Sequence, residues 1–159
     1  MTAMGEGSAQ AVKDQMIAHL AQIEVRIEEM ESCLAQEAPS QIAADLLSLS
    51  EEVLQVWILA RGQTPTSDAR EGFRLLALHR QGARGDPSFN ACRETCRELA
   101  YHYNLIHGEP EHPHTAGRLR LMIMVAKHLC LFVSGKMRVA SLGQFCCASK
   151  PLRENMSLE

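Results

Sequence analysis

Apolar residues recur through the first sixty positions at the spacing of helices that bury one stripe. Met16, Leu20, Ile23, Ile27, Met30 and Leu34 follow one another at steps of 4, 3, 4, 3 and 4, which holds them on one side of an α-helix. Glu24, Arg26, Glu28, Glu29 and Glu31 fill the other faces. The pattern predicts a helix from about Ser8 to Glu37, with residues 1–7 disordered before it. Pro39-Ser40 interrupts it and offers a hydroxyl to cap the next helix. From Gln41 to Arg61 the same steps return in Ile42, Leu46, Leu49, Val53, Val56 and Ala60, widened by Leu47, Leu54, Trp57 and Ile58. A link this short makes the two helices an antiparallel hairpin.

Gly62 to Ser67 is turn-rich. Asp68 and Glu71 then have the spacing of a capping box, predicting a third helix from Asp68 to about Gln81, ended by Gly82-Ala-Arg-Gly85. Asp86-Pro87 pairs an N-cap residue with proline at the first helical position, so a fourth helix should run to about His107. After a loop holding Pro110 and Pro113, Thr115 to Ser134 predicts a fifth helix that is apolar on most sides, stopped by Gly135. Lys136 to Gln144 reads as a weaker helix or irregular cap. No strand alternation of useful length intervenes. The expected fold is therefore an all-α antiparallel bundle of about five helices over residues 8–147, opening on a long heptad-spaced hairpin, with a flexible tail at 148–159. Leu158-Glu159 resembles the remnant of a cloning site.

At 159 residues, 46% hydrophobic and 22% charged, the chain has the composition of one globular domain with its own core. No apolar run reaches the roughly 20 residues of a membrane span, and Met1 to Gln10 lacks the basic start and apolar block of a secretory signal. These features predict a cytoplasmic protein with no membrane partner and with its six cysteines reduced. Charge divides unevenly: residues 1–60 carry two basic and ten acidic side chains, residues 61–100 seven and five. A net charge of −3 argues against nucleic acid as a partner.

Candidate chemistry clusters in the central and carboxy-terminal parts. Arg70, Arg74, Arg80, Arg84, Arg93 and Arg97 gather across two consecutive helices and form a candidate anion-binding face. Asp68, Glu71, Asp86, Glu94 and Glu98 are interspersed with them. Cys92 and Cys96 share a helical face; with His107 and with Cys130 from the next helix they form a candidate zinc or iron site or a redox pair. His79 reads as a helix-end histidine. Trp57, Phe73, Tyr103 and Phe132 are candidates to line a pocket between helices.

No Glu-x-x-His lies within a predicted helix, and no phosphate loop or nucleophile elbow occurs. No cofactor is expected on these grounds, and the enzyme reading is the weaker one. The expected function is a helical interaction or regulatory module. Met124, His128 and Leu131 on the fifth helix would bind a second copy of the chain or another protein. The alternative is a metal-binding or thiol-redox sensor built on Cys92, Cys96 and His107.

Overall fold

The computed structural model describes residues 2–139. Within these residues, five α-helices form an antiparallel bundle: α1 (Thr2–Ser32), α2 (Pro39–Ala60), α3 (Arg74–Ala83), α4 (Arg93–Gly108) and α5 (Thr115–Val139), with a 3₁₀ turn, Pro87–Cys92, leading into α4. The predicted tail at 148–159 and the end of the predicted 136–144 segment lie outside the described residues. No described helix is long and apolar enough to cross a membrane.

The heptad residues of the opening hairpin do what their spacing requires. Leu20, Ile23, Ile27, Ile42, Leu46 and Val53 are completely buried, and Met16, Met30 and Leu34 pack against the same core. Boundaries differ at both ends of α1, which starts at Thr2 rather than Ser8 and stops at Ser32 rather than Glu37. The cap of α2 also differs. Pro39 occupies the first turn, where its missing N–H costs nothing, and Ala38 precedes it with no side-chain cap. At the far end, Gly62 N–H donates to Leu59 O and Gln63 N–H to Ile58 O, closing the last turn.

The predicted start of α3 is corrected by a turn. Glu71 and Gly72 both have positive φ, 54° and 85°. Arg70 and Phe73 flank them and exchange two backbone hydrogen bonds of 2.9 Å. Consecutive left-handed residues between paired neighbours make a tight reverse turn, which glycine favours at its second position. The Asp68/Glu71 capping box therefore never forms, and α3 begins only at Arg74. The loop before it is fastened from the helix: the Gln81 amide accepts from Thr66 N–H at 2.8 Å and donates to Thr64 O at 2.7 Å, while Arg74 Nε donates to Thr66 O.

Gly82 lies inside α3 rather than ending it. A Cβ there would sit 2.8 Å from the Phe89 ring and 3.1 Å from Trp57. Its absence lets Phe89 stack on Trp57, with centroids 5.3 Å apart and planes at 7°. The Gly82 carbonyl accepts from Trp57 Nε1 and from Arg61.

Helix α5 packs against α1, α2 and α4. It does not stop at Gly135 but runs to Val139, and the added turn carries Lys136 and Met137 into the core. The Lys136 ammonium donates to Asp86 at 2.8 Å and to Ser88 at 2.7 Å, above the Trp57 ring. Asp86, predicted to cap α4, is thus occupied by a buried lysine and by the Ser88 hydroxyl. Its side chain makes no cap hydrogen bond to a backbone N–H of the following turn.

Candidate anion-binding cleft

Five of the six candidate arginines converge. Arg70 from the reverse turn, Arg80 from α3, Arg84 from the link, and Arg93 and Arg97 from the first turns of α4 line one open cleft of about 400 Å³. Leu76, His79, Ala83 and Asn90 complete its lining, which contains no carboxylate. The sixth, Arg74, points elsewhere, to Thr66 O and toward Glu51. Of the interspersed acids, Glu71 pairs with Arg97 at 3.2 Å, but both side chains are substantially exposed. Such surface pairs contribute about 0–1 kcal/mol and leave the guanidinium able to exchange partners. The lining has the residue types and charge of an anion site: five arginines around a small volume, with an amide and an imidazole among them.

His79 was legible only as a helix-end histidine, yet it is buried at 6% exposure between the cleft and the core. Its ring stacks on Phe89 at 5.5 Å. Its Nε2 lies 3.2 Å from Phe89 O, the carbonyl that also accepts from the Cys92 thiol at 3.2 Å. Cys96 hydrogen-bonds to Cys92 from one turn further on, and this contact is the main cause that draws the Cys92 thiol down to about 6. Burial opposes the shift and His79 assists it. Cys96 is pushed up, because it gives its hydrogen to Cys92 and is itself buried.

No family model, curated protein or solved structure matches the chain.

The remaining candidate residues do not converge. His107 stacks on Tyr103 at the exposed end of α4, eleven positions beyond Cys96 and so roughly 16 Å along the axis. Cys130 donates to Leu20 O on α1 at 3.3 Å. Among the described residues, no three His, Cys, Asp or Glu side chains are placed to hold a metal ion. The four aromatics split as well: Trp57 and Phe132 meet through Phe89, whereas Phe73 and Tyr103 form an edge-on pair of their own. Met124 and Leu131 are 66% and 50% exposed, and His128 is exposed between them.

His102 carries a separate consequence. Its Nδ1 is buried without a hydrogen-bond partner. Burial lowers its basicity, the Arg118 charge adds to that, and Glu98 opposes it. The unfolded chain thus takes up this proton before the folded one does, so the stability tied to neutral His102 is complete above its ordinary value of 6.5 and is lost as pH falls below it. Thermal unfolding followed from pH 7.5 to 5.5 should show a falling midpoint, with a shallower fall in His102→Gln. Equal slopes in the two proteins would remove His102 as the cause.

Proposed function

We propose that this protein is a binding module whose arginine cleft takes a small, multiply charged anion of the phosphate or carboxylate type. The observation that carries the reading is the convergence of five guanidiniums from four chain segments on one lining that has no carboxylate. Magnitudes favour it. Two guanidiniums about 8 Å apart in water repel by only about 0.5 kcal/mol, so the empty cleft folds without difficulty. Each charge-assisted hydrogen bond to an anion contributes about 1.5–3 kcal/mol, and three or four of these against the cost of association place affinity in the micromolar to millimolar range. Exposure of the cleft makes that affinity fall with salt.

Inorganic pyrophosphate is a suitable probe, titrated calorimetrically at low and at 0.3 M salt. Binding is expected at low salt, about tenfold weaker in Arg80→Ala and in Arg93→Ala, and unchanged in Arg74→Ala, whose side chain lies outside the cleft. Equal binding by wild type and an Arg80→Ala/Arg93→Ala double variant would sink the proposal.

A second reading rests on a different observation. Leu121, Met124, His128 and Leu131 form an exposed line on α5. Their steps of 3, 4 and 3 read the same in both directions. A palindromic stripe suits a two-fold contact in which Leu121 meets Leu131 of a second copy and Met124 meets its His128. Light scattering should then give twice the 17.6 kDa chain mass. Met124→Glu/Leu131→Glu should return the monomer, and a wild-type monomer at every concentration tested refutes this contact.

A further inference from the structure

The anion reading makes no use of the thiol pair at the start of α4. Cys92 ends the 3₁₀ turn and Cys96 follows one helical turn later, so the two sulfurs face the same way. The Phe89 carbonyl receives both Cys92 Sγ and His79 Nε2 at 3.2 Å. A carbonyl only accepts, so Nε2 carries a proton and Nδ1 is the ring atom left to accept one. Cys92 is thus flanked by a second thiol and an imidazole at the start of a helix. A helix N-terminus with an imidazole beside it favours a thiolate.

We infer that Cys92 and Cys96 form a peroxide-oxidisable dithiol, with Cys92 as the attacking sulfur, His79 as the acceptor of its proton and Cys96 as the resolving thiol. Cys92 passes its proton to the imidazole. The thiolate attacks one oxygen of hydrogen peroxide; an S–O bond forms as the O–O bond breaks, and the departing hydroxide takes the proton from the imidazolium to leave as water. Cys92 is now a sulfenic acid. The Cys96 sulfur then attacks the Cys92 sulfur, forming the S–S bond as the S–O bond breaks, and hydroxide leaves with the Cys96 proton as a second water. Two thiols and one peroxide give one disulfide and two waters, the sulfurs supplying the two electrons.

Burial selects the oxidant. Cys92 and Cys96 are 1% and 0% exposed, so the oxidant that reaches them has to be small, as hydrogen peroxide is. Location in the fold makes the product attainable. Residues one helical turn apart hold their Cβ atoms about 5–6 Å apart, and a disulfide needs about 3.5–4.5 Å. The junction of a 3₁₀ turn with the first turn of α4 is where a helix gives way most easily.

Peroxide treatment of the reduced full chain, followed by alkylation, trypsin and mass spectrometry, decides the matter. Cleavage after Arg84, Arg93 and Arg97 separates the two cysteines, so their disulfide appears as one linked pair of peptides, 85–93 with 94–97, reversed by dithiothreitol. In Cys96→Ser, a sulfenic acid at Cys92 should be trapped by a 1,3-diketone. His79→Gln should slow the oxidation at least about tenfold, in keeping with loss of a general base. Cys92 and Cys96 still alkylating as thiols at a peroxide dose that oxidises half-exposed Cys33 overturns the inference, as does a linked pair that forms only in urea. An unchanged rate in a folded His79→Gln removes the histidine from it. None of these readouts depends on pyrophosphate binding, so the thiol site and the anion cleft stand or fall separately.

Discussion

Lys136→Ala should destabilise the protein by about 3–5 kcal/mol, the largest loss expected from any single charge. Asp86 and Lys136 are both buried, and their 2.8 Å contact offsets the cost of bringing two charges out of water. Removing the ammonium leaves the carboxylate with only the Ser88 hydroxyl and the more distant charge of Arg61. At roughly 2–4 °C per kcal/mol for a chain of this size, the thermal midpoint should fall by at least about 6 °C. An Asp86→Leu/Lys136→Met double variant should recover much of the loss, because it removes both charges and refills the space. If the double variant is as unstable as the single, the pair acts through packing rather than charge.

The same pair sets a limit at acid pH. Burial pushes the Asp86 carboxyl up, but hydrogen bonds from Lys136 and Ser88 and the charges of Lys136 and Arg61 outweigh it, and the net direction is downward. The unfolded chain therefore protonates this group first. Its contribution is complete above the ordinary carboxylate value and disappears as pH falls through the lower folded one.

Phe89→Ala should cost a comparable amount, about 3–5 kcal/mol. Phe89 is completely buried and touches the rings of Trp57, His79 and Phe132. With no side chain at Gly82, nothing on that part of α3 reaches into the space the ring would vacate. Urea unfolding should show a lower midpoint at an unchanged slope. Tyr101→Ala, at 62% exposure, should stay within about 0.5 kcal/mol of wild type. A Phe89→Ala loss of similar size would mean that the stack contributes little.

Much of this architecture could be read from spacing, and the rest could not for identifiable reasons. The α1–α2 hairpin is written in apolar steps that local geometry alone converts into a buried stripe. The start of α3 is decided instead by two positive-φ residues at Glu71-Gly72, which a capping pattern cannot reveal. The end of α5 is decided by Asp86, fifty positions earlier in the chain, so Gly135 was a reasonable but wrong stop. At the site, residue types were legible and placement was partly so. Arg74 and Arg80 are six positions apart, about 240° around a helix, so phase already separates them. His107 passes the same phase test against Cys96 and fails on distance. His79 and Asn90 join the arginines only because the link between α3 and α4 folds back, which no local period encodes.

The central position of α5 has a consequence for synthesis on the ribosome. Helices α1, α2 and α4 each present an apolar face whose cover is translated after them. A nascent chain that has emerged only as far as Gly108 holds those faces open to water and to chaperones. The protein should gain protease resistance abruptly, once the turn bearing Lys136 has cleared the exit tunnel, rather than helix by helix.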